Sequence, residues 1–465
     1  MAETKQHFHL AVIGGGPGGY VAAIRGAQLG MEVALVEKAE VGGVCLNWGC
    51  IPSKALLRSA ELFSLFRRSA EFGIICDQVQ IDYARAVERS RRIARRLERG
   101  VEYLLRKNRV TLLRGTGYLS QPHRITISGG EGEREITADR IILATGSRPM
   151  LFPGMSVDGK QILTSSEALV LPEVPKSIII IGGGAVGVEF AYLFATFGAQ
   201  VTLVEMLPHL LPFEDAEIAS ALEASFRKQG IQVRTRTRVQ EVQTVGERVR
   251  VSLEGQEEVL EADKLLMAIG RTPNSAQLGL EEIGVEVDGR GFITVNERFE
   301  TTVPGIYAIG DVINTPLLAH VAMAEGVAAV EGMAGVERGP IDYRKIPSCT
   351  YCQPQVASIG LSEEKAREEG YEIKVGKFPF QASGKALAVG ETEGFVKVVV
   401  EAKYGEILGL HILGAEATEM IAEGGALSTL EATTAEVLMT VHAHPTLSEA
   451  ILEASLSAEG QAIHL

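Results

Sequence analysis

The 465-residue sequence has few cysteines, a single tryptophan and no long apolar runs. The number of cysteines, five, is odd and is small for this length, so a secreted protein held together by disulfides is disfavoured. No apolar run approaches the roughly 20 residues that a helix needs to span a bilayer. The first residues enter a β-like run at once, so we expect no signal or transit peptide. We therefore predict a cytoplasmic protein that does not associate with membranes.

Basic residues are also in the minority, since Lys and Arg total 45 against 59 Asp and Glu, a net charge of -14. An acidic surface repels nucleic acid, so we expect no nucleic-acid partner. Glycine, by contrast, is abundant at 51 residues, and 46% of all residues are hydrophobic. This composition is typical of a packed α/β protein with many tight turns. The length predicts two to four domains.

An internal repeat is the clearest pattern in the sequence. HLAVIGGGPGGYVAAIRGAQLGMEVALVEK, from His9, is echoed by SIIIIGGGAVGVEFAYLFATFGAQVTLVEM, from Ser177. Each copy is an apolar β-like run, a glycine-rich turn, an Ala-rich helical stretch and a second apolar run that ends in Glu. A second echo follows each copy, since RIILATGSRP resembles KLLMAIGRTPN. The repeat indicates two copies of one β-α-β module.

Both modules carry the glycine spacing of a dinucleotide-binding turn, in which the backbone approaches a pyrophosphate at a helix N-terminus. The glycines are Gly14, Gly16 and Gly19 in the first copy and Gly182, Gly184 and Gly187 in the second. Glu37 and Glu205, at the ends of the next strands, are placed to accept hydrogen bonds from a ribose. A glycine-rich turn in a ligand-free fold is the alternative, which the shared register of strand, helix and acid disfavours. Glu205 would repel the 2′-phosphate of NADP, and MLPHLLPF after it contains no Arg or Lys, so the second site favours NAD.

A closely spaced cysteine pair follows the first module directly, in GGVCLNWGCIPSK. Four residues separate Cys45 from Cys50, roughly one helical turn, so the two sulfurs can meet on one face. Cysteines near a helix N-terminus have stabilised thiolates and are therefore reactive. The alternative is a pair of buried structural cysteines, which does not explain the flanking glycines. We predict a redox-active disulfide.

With these motifs the sequence resembles the FAD-dependent pyridine nucleotide-disulfide oxidoreductases over essentially the whole chain. The remaining shared motifs are ATGSRP, AIGRTPN, GIYAIGD, LLAH and HAHPTLSE. The resemblance implies an α/β fold with two Rossmann-like domains, for FAD and NAD, and a C-terminal α+β dimerisation domain. The implied segments are 1–148 (FAD, first part), 149–272 (NAD), 273–342 (FAD or central, second part) and 343–465 (dimerisation).

Within the family the sequence is most similar to the branch that oxidises dihydrolipoamide with NAD⁺, because IPSK at 51–54 matches that branch better than the glutathione-reducing one. The implied enzyme converts protein-bound dihydrolipoamide to lipoamide and reduces NAD⁺ to NADH, through Cys45–Cys50 and tightly bound FAD. The implied partners are a second copy of the chain, lipoyl domains, and the acyltransferase core of 2-oxoacid dehydrogenase complexes or a glycine-cleavage complex. Two alternatives stay open: another disulfide or metal substrate reduced by a pyridine nucleotide, and a flavoprotein retained as a scaffold.

The resemblance also implies a role for individual residues. Cys45 would exchange with the substrate dithiol and Cys50 would lie against the flavin, while Lys54 would reach the flavin N5 edge and pair with Glu189. His444 would be the acid–base of the partner subunit's cysteines, oriented by Glu449. The residues expected around FAD are Gly14, Gly16, Gly19, Glu37, Lys38, Gly43, Val44, Lys54, Gly117, Thr145, Gly146, Ser147, Asp311 and Ala319, and those around NAD are Gly182, Gly184, Gly187, Glu205, Val239 and Gly270.

Three features depart from the family pattern or fall outside it. Trp48 stands between the cysteines where the family has a small aliphatic residue, and it could either shield the disulfide or pack against the flavin domain. The Arg-rich stretch 85–99, with Ile93 and Leu97 as its apolar stripe, favours a solvated helix face over a docking patch. Cys349 and Cys352 could form half of a zinc or redox site, but a structural role is favoured because no further ligands accompany them. No metal site is expected.

Overall fold

The computed structural model describes residues 6–129, 132–336 and 339–465. The α-helices are α1 (Pro17–Gln28), α2 (Gly43–Trp48), α3 (Cys50–Arg67), α4 (Tyr83–Lys107), α5 (Ser165–Ala168), α6 (Ala185–Thr196), α7 (Ala216–Lys228), α8 (Leu280–Ile283), α9 (Ala319–Met333), α10 (Glu363–Glu368), α11 (Gly384–Val389), α12 (Ala417–Thr429), α13 (Thr434–Met439) and α14 (Glu449–Ala458). The strands are β1 (Gln6–Ile13), β2 (Val33–Glu37), β3 (Thr111–Arg114), β4 (Thr116–Gln121), β5 (Arg124–Gly129), β6 (Gly132–Leu143), β7 (Ser147–Pro149), β8 (Ile162–Leu163), β9 (Ser177–Ile181), β10 (Gln200–Val204), β11 (Gln232–Arg234), β12 (Val239–Val245), β13 (Arg248–Leu253), β14 (Val259–Ala262), β15 (Lys264–Met267), β16 (Arg271–Pro273), β17 (Ile306–Ala308), β18 (Ser348–Thr350), β19 (Gln355–Gly360), β20 (Ile373–Pro379), β21 (Phe395–Glu401) and β22 (Ile407–Gly414).

The described residues form two compact units. The first contains residues up to 55, 85–150 and 270–341, and the second contains 56–84, 151–269 and 342–465. Among the described residues, no helix combines the length and apolar character that a membrane span requires.

The first unit is built on a sheet in the order β3-β2-β1-β6-β5-β4, with β17 paired to β6. Strands β1, β2, β3, β6 and β17 pair in parallel, whereas β4 and β5 return antiparallel. Strand β2 and the second half of β1, Leu10–Ile13, are buried throughout, as expected for a sheet covered on both faces. Helix α1 packs closely on α9. The closeness is shown by Gly326 of α9, where a Cβ would lie only 2.7 Å from the carbonyl oxygen of Gly18 in α1. The carboxyl ends of β1, β2 and β6 therefore meet at one edge of the sheet, where ligands of such sheets bind.

The second unit repeats this plan and adds two antiparallel sheets. Its parallel sheet has the order β11-β10-β9-β15-β8, so β9-α6-β10 repeats β1-α1-β2. A three-stranded antiparallel sheet, β12-β13-β14, follows in the chain. The C-terminal region is the sheet β18-β19-β22-β21-β20, and α12 and α14 pack on it. The predicted α/β architecture, with two dinucleotide-type modules and a C-terminal α+β region, is confirmed.

The Arg-rich stretch forms helix α4, but its buried face is not the predicted one. Leu97 is 39% exposed, whereas the fully buried positions are Ser90 and Ala94, followed by Val101 and Leu105. The prediction of an Ile93–Leu97 stripe was therefore wrong. The physical reason is that α4 approaches its neighbours through small residues, which a search for large apolar side chains does not detect.

Candidate active site

The two glycine turns have the same backbone geometry. Gly14 has φ +107° and Gly182 has φ +109°, a region that side chains rarely adopt. A Cβ at either position would lie 2.2 Å from a carbonyl oxygen, that of Ala144 or that of Ala268. Only glycine fits at these positions, and the agreement shows that the sequence repeat is also a structural repeat.

Both turns offer a cradle that fits a pyrophosphate. Helices α1 and α6 begin directly after Gly16 and Gly184, and no described side chain caps their first N–H groups. No described atom lies within 4 Å of a Cβ built on either of these two glycines. Unpaired N–H groups at a helix N-terminus attract anions. The predicted residues therefore fit a dinucleotide at each turn.

The acidic residues at the strand ends are held by the backbone of their own turns. Glu37 accepts hydrogen bonds from the N–H of Gly15 at 2.6 Å and of Ala39 at 2.8 Å. Likewise, Glu205 accepts hydrogen bonds from the N–H of Gly183 at 2.6 Å and of Leu207 at 2.7 Å. Each carboxylate oxygen can accept a second hydrogen bond, so both acids are fixed in place and still fit ribose hydroxyls. The sequence did not reveal this backbone anchoring.

The cysteine pair lies at a break between two helices. Cys45 is inside α2, Gly49 leaves the helical conformation with φ -151° and ψ -112°, and Cys50 begins α3. The expectation of one continuous helical turn was therefore wrong: the pair meets because Gly49 redirects the chain. A close approach also places α2 against the first turn, since a Cβ at Gly43 would lie 2.7 Å from the Gly16 Cα.

The two cysteines are thiols in the structure, and their environments differ. The Cys45 thiol donates a hydrogen bond to Cys50, and this bond and burial raise the pKa of Cys45, whereas the Lys54 ammonium lowers it. A donor aimed at Cys50 stabilises a thiolate there, as does the start of α3. The raised pKa of Cys45 therefore favours its thiol form.

Helix α4 holds the backbone beside the cysteines. The Arg91 guanidinium lies 4.2 Å from the centre of the Trp48 ring and donates to the Asn47 carbonyl. Arg89 donates to the Ala55 carbonyl at 3.1 Å. Trp48 thus packs under an arginine that lies within the predicted FAD segment 1–148, in agreement with the second of the two roles considered from the sequence; a role in shielding the disulfide stays a prediction. Asn47 and Arg91 were missed as well, although a polar Asn between the two cysteines was a usable signal in the sequence.

The loops ATGSRP and AIGRTPN pair with one another through β7 and β16. The Thr145 hydroxyl donates to the Asn274 carbonyl at 2.8 Å, and the Asn274 N–H donates to the Gly146 carbonyl at 2.8 Å. ATGSRP and residues 270–274 of AIGRTPN belong to the same compact unit.

Asp311 is the acid that these loops hold in place. The Ser147 hydroxyl donates to its Oδ2 at 2.6 Å, and the Arg271 Nε lies 3.5 Å from the same oxygen. The side chain is 23% exposed, so a further donor such as a ribityl hydroxyl can reach it. Ala319 begins α9, and Gly117 lies in β4, where a Cβ would be 3.1 Å from Ile13 at the end of β1.

His444 and Glu449 lie side by side at the start of α14. The imidazole Nδ1 is 2.9 Å from Glu449 Oε1, and Glu449 Oε2 accepts the Thr446 N–H at 2.8 Å. Burial raises the pKa of Glu449, but the hydrogen bonds from the Thr446 N–H and from His444 have the larger effect, so the pKa of Glu449 is lowered. The His444 side chain is 79% exposed. A carboxylate that fixes one ring nitrogen leaves the other to exchange protons.

The remaining predicted residues are dispersed. Glu189 is buried in α6 and accepts the Tyr351 N–H at 3.1 Å, and its pairing with Lys54 stays a prediction. Val239 begins β12, whereas Lys38 and Val44 are exposed. Cys352 is buried and donates to the Pro354 carbonyl at 3.1 Å. In the part of the chain that the structure describes, no group of three His, Cys, Asp or Glu side chains could hold a metal.

Two dinucleotide turns and a dithiol packed on the first of them define a nucleotide-dependent disulfide oxidoreductase. The family model for pyridine nucleotide-disulphide oxidoreductases matches residues 8–326, and that of the family's dimerisation domain matches residues 346–455. The chain belongs to the pyridine nucleotide-disulphide oxidoreductase family. The predicted family, oxidoreductase class and cofactors, FAD and NAD, are thereby confirmed.

Curated relatives cover almost the whole chain. It is 46% identical to the dihydrolipoyl dehydrogenase of Zymomonas mobilis subsp. mobilis, over 98% of this chain and 99% of that protein. It is 48% identical to the enzyme of the same name from Chlorobaculum tepidum, over 98% of both, and 44% identical to that of Bacillus subtilis, over 98% of this chain and 99% of the other. These relatives bear out the branch of the family that the motifs predicted.

Solved structures of the same architecture are similar to the chain at lower identity. LpdA from Mycobacterium tuberculosis superposes with a TM-score of 0.91 at 28% identity, over 97% of this chain and 99% of that one. The Cu(II) complex of the HOCl-induced flavoprotein disulfide reductase RclA from Escherichia coli has a TM-score of 0.88 at 28% identity, with the same coverage.

Proposed function

We propose that the chain oxidises protein-bound dihydrolipoyl groups to lipoyl groups and reduces NAD⁺ to NADH. The observation that carries the proposal is the pair of hydrogen-bonded thiols, Cys45 and Cys50, of which Cys45 is on a helix that abuts the first dinucleotide turn. Relatives that share 44–48% of the sequence and bear the name dihydrolipoyl dehydrogenase support the substrate.

The cysteine pair carries out the exchange with the substrate. One substrate thiolate attacks the Cys45 sulfur of the Cys45–Cys50 disulfide, and Cys50 leaves as a thiolate. The second substrate thiolate then attacks the substrate sulfur of the mixed disulfide, which closes the lipoyl ring and releases Cys45. Two electrons pass from the dithiol to the cysteines. The two substrate thiols give up one proton each: one goes to the released Cys45 thiolate, whose raised pKa favours the thiol, and the other goes to the base.

The cofactors are assigned to the two turns. Gly14, Gly16, Gly19, Glu37 and Asp311 would hold FAD, and Gly182, Gly184, Gly187 and Glu205 would hold NAD. When bound, FAD supplies the two-electron acceptor that restores the disulfide and passes the electrons to NAD⁺. Lys54, one turn into α3 from Cys50, places a cation beside the pair, with Glu189 as its proposed counter-ion.

The proposed base is His444, held by Glu449. It would take the proton from the substrate thiol and return it later, which is work for an imidazole near neutral pH. In a homodimer His444 would serve the cysteines of the partner subunit, and the matched dimerisation domain at 346–455 supports that assembly.

The proposal also covers the partner proteins, the cellular location and the domain boundaries of the chain. The partners would be lipoyl domains and the acyltransferase core of a 2-oxoacid dehydrogenase complex, or a glycine-cleavage complex, in the cytoplasm. The division into 1–148, 149–272, 273–342 and 343–465 is proposed as the domain organisation.

Steady-state kinetics test the function. Dihydrolipoamide with NAD⁺ should be turned over efficiently, and replacement of NAD⁺ by NADP⁺ should lower kcat/KM strongly. Cys45→Ser and Cys50→Ser should abolish the reaction, whereas the exposed Cys76→Ser serves as the control. Efficient turnover of glutathione disulfide with NADPH, and indifference to dihydrolipoamide, would overturn the proposal.

A further inference from the structure

The short helix that carries Cys45 depends on a neighbouring helix for its C-terminal end. Helix α2 has only six residues and ends at Trp48, because the next residue, Gly49, is not helical. Its carbonyl groups therefore need partners from outside the helix. Arg91 of α4 supplies one, because it donates to the Asn47 carbonyl. The positive guanidinium also complements the negative end of the α2 dipole.

The same arginine covers the residue between the cysteines. Its guanidinium lies 4.2 Å from the centre of the Trp48 ring, well within the range of a cation–π contact. Burial, and secondly the neighbouring Arg95, lower the pKa of Arg91, so this cation is partly withdrawn from water. A cation–π contact is stronger when it is desolvated. Arg91 is thus a built contact and not part of a solvated face.

Asn47 connects this contact to the rest of α2. Its side chain is 2% exposed and donates to the carbonyl oxygens of Val41 at 3.0 Å and Gly43 at 3.1 Å. The start and the end of α2 are therefore held by one residue, and Arg91 holds that residue by its carbonyl. Arg89, on the same helix, holds the Ala55 carbonyl of α3. Helix α4 therefore has one anchor on each of the two helices that carry the reactive cysteines.

We propose that Arg91 is a positioning residue for the Cys45–Cys50 pair and acts through Trp48 and Asn47. A disulfide forms only within a narrow range of Cβ–Cβ distances and torsion angles. Arg91 fixes α2, and so keeps Cys45 within that range of Cys50. This raises the effective concentration of one thiol towards the other and favours the disulfide over the dithiol. The inference rests on the proposed redox role of the two cysteines.

The experiment measures the dithiol–disulfide equilibrium of the FAD-loaded enzyme in dithiothreitol redox buffers. Because Trp48 is the only tryptophan of the chain, its emission reports on this site alone. Arg91→Ala should make the pair about tenfold easier to reduce, since it loses the ring contact and a charged hydrogen bond. The emission should shift to longer wavelength, and kcat should fall while KM for NAD⁺ is unchanged.

Three further variants separate positioning from general effects. Arg96→Ala removes an exposed charge from the same helix and should leave the equilibrium, emission and kcat at wild-type values. Arg91→Lys keeps the charge but not the planar stack, and should restore part of the loss. In a Trp48→Leu background, Arg91→Ala should have a smaller effect, because the ring contact is already absent.

An Arg91→Ala equilibrium within twofold of wild type, with unshifted emission, overturns the proposal, and so does an equal change in Arg96→Ala. If Arg91→Ala fails to retain FAD, Trp48→Leu carries the test, and a wild-type equilibrium in that variant also overturns it. Inactivity of the wild type towards dihydrolipoamide would refute the proposed substrate but leave this equilibrium measurable.

Discussion

Lys397→Met should destabilise the second compact unit more than any exposed charge substitution. Lys397 is in β21 with a side chain only 2% exposed, and its Nζ lies 3.0 Å from Asp215 and 2.9 Å from Glu363. Asp215 is fully buried, and it also caps α7 by accepting the Glu217 N–H at 3.0 Å. Removal of the ammonium would leave the buried Asp215 carboxylate without the cation that contacts it.

The magnitude follows from that burial. Breaking a buried ion pair by removing one partner costs about 3–5 kcal/mol. In a unit of this size, each kcal/mol corresponds to roughly 2 °C in Tm, so the apparent Tm should fall by roughly 6–10 °C. Lys377 is the matched control, because it contacts Glu217 at 2.8 Å but is 50% exposed. Lys377→Met should cost at most about 1 kcal/mol.

The stabilisation should also depend on pH in a defined way. Burial lowers the pKa of Lys397, but Glu363 and Asp215 outweigh burial and raise it. Burial opposes ionisation of Asp215, yet His411 and Lys397 hold its pKa below the ordinary range. The contribution of Lys397 to the free energy of unfolding is complete below the ordinary Lys pKa of about 10.4, and it disappears as the pH rises through the raised pKa of the folded state. The contribution of Asp215 is complete above the ordinary Asp pKa of about 3.9, and it disappears as the pH falls through the lowered pKa of the folded state.

Thermal unfolding of the FAD-loaded enzyme at a fixed scan rate measures both effects. The Tm difference between wild type and Lys397→Met should be constant between about pH 5 and pH 9 and shrink on either side. An additional Asp215→Asn substitution should recover part of the loss, because Asn still caps α7 without a charge. A Lys397→Met variant that unfolds like Lys377→Met would refute the reasoning.

Two more predictions concern catalysis. His444→Gln should lower kcat with dihydrolipoamide by about 10²-fold or more, and Glu449→Gln should lower it less, because the amide oxygen still accepts from the ring; a His444→Gln rate above half of wild type would contradict the role of base. Glu205→Gln should lower kcat/KM for NAD⁺ about tenfold and raise it for NADP⁺, since the charge that binds the ribose and repels the 2′-phosphate is gone. An unchanged ratio of the two kcat/KM values would show that Glu205 does not set the cofactor preference.

The nucleotide turns were predictable from sequence, because their geometry is decided within a few residues. Gly14 and Gly182 have positive φ and no space for a Cβ, so the glycine pattern is a direct readout of local sterics. The strand and helix around each turn follow from hydrophobic periodicity, which is also local. The cysteine pair was identified for the same reason, although its helix break at Gly49 was not.

Features that join distant segments could not be read in this way. The Ile93–Leu97 stripe was wrong because α4 meets its neighbours through Ser90 and Ala94, and the residues of a partner surface decide which face is buried. The pairing of β7 with β16 joins loops that are far apart in the chain: Arg271 and Ser147, which are hydrogen-bonded, are 124 positions apart.

The sequence by itself determined the two glycine turns, the position of the cysteine pair and the family, because each depends on residue types at short, fixed spacing. Only the tertiary structure decided that Arg91 covers Trp48, that Asp311 is held by Ser147, and that Lys397 is buried among carboxylates. These contacts depend on where whole elements come to rest. That placement results from the sum of many weak packing terms and not from any local pattern.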